Sequence, residues 1–250
     1  MAGWYARLRA ELVKGYHPAV ERRGTRSKRL ARFTAIAVAA VALTSACASG
    51  ARTNWLGDER WDLVNRPKGA VAVLGDSVGY GLTTVGNVTG RLAQDGWGPL
   101  RSYTQLGLHA APEKPLDPDT VVRWIGEFRA RGLAPRAVVV ISGANDVGYP
   151  AANDVNRNMQ RIDTAMKALG NVQVVWTTIH HNRPDLMAAW NQALVNIDAR
   201  YPNLRVCDWA AEVVRHPQYL ERDKVHMTVG ATGGYAAMRE FVAACARAIP

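Results

Sequence analysis

From Lys68 onward the chain alternates short, unbroken apolar runs with longer stretches of helical periodicity. Ala70 to Leu74 (AVAVL) and Ala137 to Ile141 (AVVVI) have the pattern of strands covered on both faces. Val172 to Thr177 and Leu204 to Cys207 predict two further strands, and Arg101 to Thr104 a fifth. Between them a Gly-rich turn leads into a helix reaching about Asp95, and a loop with Gly107 runs into the Pro-rich segment Pro112 to Pro118. Helices are predicted over Asp119 to Arg131, with Val122, Ile125 and Phe128 on one face, and over Asn153 to Leu169, closed by Gly170. Two more cover Pro184 to Arg200, with Pro184 in the first turn, and Ala231 to Ala248. Strands and helices in this alternation predict a three-layer α/β/α domain around a parallel sheet of about five strands. In such sheets ligands bind beyond the carboxyl ends of the strands, so chemistry is sought there.

Composition changes the picture at the N-terminus. The chain has 250 residues, 48% of them hydrophobic, enough for one domain with a buried core and an appendage. Its net charge of +10 is uneven: residues 1 to 33 hold nine Lys and Arg against Glu11 and Glu21, a net of +7, which leaves only +3 for the rest. That distribution argues against a nucleic-acid partner for the domain. The basic stretch is followed by Phe33 to Ala48 (FTAIAVAAVALTSACA), and the order basic, apolar, small is that of an export signal. Residues 1 to 48 are therefore read as a leader, 49 to 67 as a linker and 68 to 250 as the domain. Two cleavage patterns compete: Thr44-Ser45-Ala46-Cys47 resembles a lipobox that would lipidate Cys47, and Ala46-Cys47-Ala48 fits ordinary signal cleavage. An uncleaved signal anchor and a buried core helix are the alternatives. In the export readings the positive-inside bias sends the domain across the membrane. Cys207 and Cys245 then lie in a compartment that permits a disulfide; the other reading is two small buried apolar residues.

Three segments at the carboxyl edge of the predicted sheet carry chemistry. Gly75-Asp76-Ser77 follows the first strand and offers a hydroxyl nucleophile; alone, it reads as a turn with Ser77 capping a helix. Gly143-Ala144-Asn145-Asp146 follows the third, where the Asn145 amide could donate to a developing oxyanion, or be spent in an Asx turn. Asp223-Lys224-Val225-His226 precedes the last helix. A carboxylate three residues before a histidine can orient the ring and leave its other nitrogen to take a hydroxyl proton. Together the three bring nucleophile, base, orienter and oxyanion donor to one end of one sheet.

In these blocks the sequence resembles the SGNH or GDSL hydrolases, whose motifs run G-D-S, a Gly, G-x-N-D and D-x-x-H. Here the Gly falls within Gln105-Leu106-Gly107-Leu108, and Val78 stands where the full G-D-S-L motif has Leu. The resemblance covers about Lys68 to the C-terminus. It implies a flavodoxin-like fold and acyl transfer through an ester on Ser77, with His226 as base, Asp223 as its orienter and an oxyanion hole of Ser77, Gly107 and Asn145. It implies no metal and no organic cofactor. Cys207 to Gly230 looks like the end of SGNH domains attached to bacterial envelope O-acyltransferases, which points to acetyl groups and cell-envelope glycans. The expectation is an exported, membrane-attached or secreted serine esterase acting on an acylated glycan or lipid ester. An O-acyltransferase with the same triad and a non-catalytic envelope-binding module remain the rivals.

Other features have plainer readings. His180 and His181 follow the fourth strand and line a site mouth, but adjacent histidines point in alternate directions and chelate poorly. Trp176, Trp190 and Trp209 fit the buried core better than a sugar platform. Asp76 reads as an organiser of its turn. No phosphate-loop ending and no dinucleotide glycine spacing is present.

Overall fold

The computed structural model describes residues 57–113 and 119–249. The leader, Cys47 and the first residues of the linker lie outside them. The strands are β1 (Gly57–Asp62), β2 (Val71–Gly75), β3 (Leu100–Gln105), β4 (Ala137–Ile141), β5 (Gln173–Thr177) and β6 (Leu204–Cys207). The helices are α1 (Ser77–Thr84), α2 (Val88–Gln94), α3 (Val121–Ala130), α4 (Val155–Leu169), α5 (Pro184–Asp198), α6 (Trp209–Arg215) and α7 (Gly234–Arg247). None among the described residues is long and apolar enough to cross a membrane.

The strands form one sheet in the order β1-β3-β2-β4-β5-β6. The five predicted strands are parallel, and helices cover their faces. Both β2 and β4 are buried at every residue, which is why they read as unbroken apolar runs. Because β3 pairs on one side of β2 and β4 on the other, the strand order reverses at β2. The crevice at its carboxyl end opens between the loops that follow β3 and β4.

Several boundaries differ from the sequence reading. A sixth, antiparallel edge strand, β1, lies within the stretch read as a linker and pairs with β3 from Gly57↔Gln105 to Asp62↔Leu100. Its sequence, GDERWD, has no apolar alternation. What anchors it is Trp61, whose ring lies 3.4 Å from the Arg101 guanidinium carbon and edge-on to Phe128. The single helix expected up to Asp95 is two: the chain breaks at Gly86 and Asn87, where Asn87 adopts a left-handed conformation and its side chain caps α2 by accepting from Gly90. On α3 the buried face runs through Val121, Trp124, Ile125 and Phe128, so it is centred one residue earlier than Val122. The short helix α6 was not anticipated; Asp208 caps it by accepting from the Ala211 N–H.

The core fills the space between sheet and helices with side chains that include Trp176, Trp190 and Trp209, all buried. These tryptophans are core residues. Cys207, at the end of β6, is bonded to Cys245 in α7, with Cα atoms 6.4 Å apart. The bridge closes a loop of 38 residues, and chain-entropy arguments give such a loop about 2–4 kcal/mol of stabilisation. Replacing both cysteines by alanine is therefore expected to lower the thermal midpoint by roughly 5–15 °C. Calorimetry of wild type and the double variant, with and without reductant, checks this, and reductant should shift only the wild type.

Candidate active site

Ser77 stands at the first position of α1, directly past the carboxyl end of β2. As the first helical residue it has no intrahelical acceptor for its N–H, and the helix start places its hydroxyl over the crevice. The helix is capped by Asp76, whose Oδ1 accepts from the Val78 N–H at 2.9 Å. The other oxygen of Asp76 accepts from the Ala144 N–H at 3.2 Å, which ties the Ser77 turn to the loop after β4. Asp76 is buried, and burial pushes its carboxyl up to about 6, although the two backbone N–H groups and the nearby His226 oppose the rise.

The loop before α7 supplies the remaining groups. The Nε2 of His226 lies 2.9 Å from Ser77 Oγ, and its Nδ1 lies 2.7 Å from Asp223 Oδ2. With Asp223 accepting at Nδ1, the ring carries its proton there and turns the Nε2 lone pair to the hydroxyl. The second carboxylate oxygen of Asp223 accepts from the N–H groups of Val225 and His226, each at 2.9 Å. Burial works against ionisation of Asp223, but these donors outweigh it and hold the carboxyl below its ordinary value. Ser77 and His226 are each only 8% exposed, so the hydrogen bond between them lies in a partly dry setting where hydrogen bonds to charge are strong.

The loops after β3 and β4 are bolted to each other. The Asn145 amide donates to the Leu108 carbonyl at 3.2 Å, and the Asp146 carboxyl accepts from the Ala110 N–H through both oxygens, at 3.1 and 3.2 Å. Gly107, beside Leu108, has φ +84°, a left-handed conformation that disfavours a side chain. Gly143 is required for a different reason. At φ +139° its Cα faces the Trp190 indole so closely that any Cβ would overlap the ring. Asp146, absent from the sequence-derived site, is fully buried; burial and the neighbouring Asp76 push its carboxyl up to about 8 against the opposing Ala110 N–H and Arg161.

His180 and His181 lie beside the Asp223–His226 loop. His180 Nδ1 is 2.8 Å from the Lys224 carbonyl oxygen, and His181 Nδ1 accepts from the Arg183 N–H at 3.1 Å. Burial, together with the neighbouring Arg183 and His180, lowers the His181 pKa. Among the described residues no group of three or more His, Cys, Asp or Glu could hold a metal ion.

No protein-family model matches the sequence, and no curated protein matches it. Solved structures do share its fold. The lipase/acylhydrolase from Enterococcus faecalis is 18% identical with a TM-score of 0.53, the match covering 71% of this chain and 95% of that one. TesA is 19% identical, also at 0.53, over 70% of this chain and 97% of its own. The psychrotrophic esterase EstA from Pseudoalteromonas sp. is 14% identical at 0.53, over 71% and 96%. At these identities the likeness is one of fold.

Asp146 yields a pH prediction. An aspartate in an unfolded chain releases its proton near pH ~4, whereas Asp146 in the fold keeps it to about pH 8. The folded state therefore binds more protons across that window, and this residue's contribution to stability falls as pH rises. Asp146→Asn, which cannot ionise, should gain stability relative to wild type between about pH 4 and pH 8. Urea unfolding of both proteins at several pH values measures the difference, which should grow steadily across the window.

Proposed function

We propose that this chain, whose fold is that of the SGNH hydrolases, is an exported serine esterase that removes small acyl groups, acetyl foremost, from a cell-envelope glycan or lipid-linked sugar. The observation that carries the reading is the continuous relay from Ser77 Oγ through both nitrogens of His226 to Asp223. Export is supported by the basic and apolar leader in the sequence and by the Cys207–Cys245 bridge, a bond that persists in oxidising compartments.

In this reading Ser77 Oγ attacks the ester carbonyl carbon while His226 Nε2 takes its proton. The imidazolium that forms is stabilised by the ionised Asp223, which stays unprotonated. The tetrahedral oxyanion is met by the Ser77 and Gly107 N–H groups and the Asn145 amide. One such donor is worth about a hundredfold to a thousandfold in turnover. Collapse breaks the bond to the alcohol oxygen, which leaves with the proton held by His226. A water then attacks the acyl carbon, gives its proton to His226, and the second collapse frees the carboxylic acid and returns the proton to Ser77.

Purified full-length protein is expected to hydrolyse p-nitrophenyl acetate faster than the octanoate ester. Ser77→Ala and His226→Ala should each reduce kcat/KM by a thousandfold or more. Equal activity in all three proteins would refute the assignment of nucleophile and base. Release of acetate from O-acetylated envelope glycan, followed with and without an added acceptor sugar, tests the substrate class and separates hydrolysis from transfer.

A further inference from the structure

The D-x-x-H segment sits in a loop and depends on its neighbours for position. Its geometry turns on Lys224, which adopts a left-handed conformation at φ +60°, unusual for a residue with a side chain. That conformation lets the Asp223 carboxylate fold back on the Val225 and His226 N–H groups while still reaching the His226 ring. The Lys224 carbonyl points to His180, whose Nδ1 is 2.8 Å away. A carbonyl oxygen only accepts, so His180 must carry its proton on Nδ1 and donate it.

His180 has a rigid base from which to do this. The preceding residue, Ile179, is clamped by the carboxamide of Asn191 in α5: its N–H donates to Asn191 Oδ1 and its carbonyl accepts from Asn191 Nδ2, both at 2.9 Å. One residue earlier, the Thr178 N–H donates to the Cys207 carbonyl at 3.0 Å, and its hydroxyl donates to Asp208 at 2.9 Å. The imidazole thus extends from a segment fixed to α5 and to the end of β6.

We propose that His180 is a positioning residue: it braces the left-handed turn at Lys224 against the sheet and so keeps Asp223 and His226 aligned on Ser77. The proposal rests on Ser77 acting as nucleophile, and it assigns His180 no contact with substrate. The Asn side chain presents an N–H at the same distance along the chain as His Nδ1, so His180→Asn preserves the brace where His180→Ala removes it.

The test compares wild type, His180→Ala, His180→Asn and Ser77→Ala as full-length proteins, with p-nitrophenyl acetate as substrate. Misplacement of a base by an ångström costs on the order of a hundredfold. His180→Ala is therefore expected to lower kcat about 10- to 100-fold with KM changed less than twofold, and His180→Asn to restore most of the loss. Independently of turnover, the far-downfield NMR resonance of the His226 Nδ1 proton should be present in wild type and His180→Asn and broadened or lost in His180→Ala. Wild-type kcat and an intact resonance in His180→Ala overturn the proposal, as does equal impairment of the Ala and Asn variants. Should Ser77→Ala keep full activity, the esterase reading fails, and the resonance alone still decides what His180 does.

Discussion

A carboxyl group shut off from water is costly unless its oxygens are occupied, and Asp76 has both occupied from two different strands' ends. One oxygen starts the helix that bears Ser77, and the other reaches across the sheet to the loop that bears Asn145. Neither strand end can drift without leaving a buried acceptor unmet, a loss on the order of 1–3 kcal/mol. The position of Ser77 relative to the β4 loop is thus set by a hydrogen-bond requirement. Asp146 applies the same logic one loop further, holding the segment after Gly107, so the crevice at β2 is framed by two buried carboxyls.

Around that frame the chain leaves little space. Trp190, fully buried in α5, packs against the backbone at Gly143. Tyr235 of α7 lies against Gly81 of α1 so closely that a Cβ there would overlap its ring. The second contact matters for His226. The loop bearing Asp223 and His226 runs directly into α7, so the seating of α7 on α1 brings His226 within reach of a serine 149 residues earlier in the chain. Packing of apolar surface and satisfaction of polar groups therefore act on the same few elements.

Much of this was legible in the sequence because the relevant signals are local. AVAVL and AVVVI announce doubly covered strands, and the G-D-S, G-x-N-D and D-x-x-H blocks mark the ends of particular elements. What escaped was whatever depends on a distant partner. β1 is a run of charges and one tryptophan, and it becomes a strand through Arg101, Phe128 and the open edge of β3. Asp76 and Asp146 sit inside motifs already noted, yet their roles as cross-links rest on the N–H groups of Ala144 and Ala110. Asn191 had no signal at all, since a mid-helix asparagine looks like a solvent-facing residue until Ile179 is seen against it. The break between α1 and α2 was readable in principle from Gly86-Asn87, a pair that punctuates helices.

The disulfide encloses Asp223 and His226 but not Ser77. A chain that emerges N-terminus first therefore presents Ser77 long before the segment that pairs with it. β2 also occupies the interior of the sheet, flanked by strands that both follow it. The Ser77–His226–Asp223 hydrogen bonds form only when the segment before the last helix has reached the end of β2. Completion of the chain is thus the event that unites the three side chains, and a product ending before Asp223 would carry Ser77 without its hydrogen-bond partners.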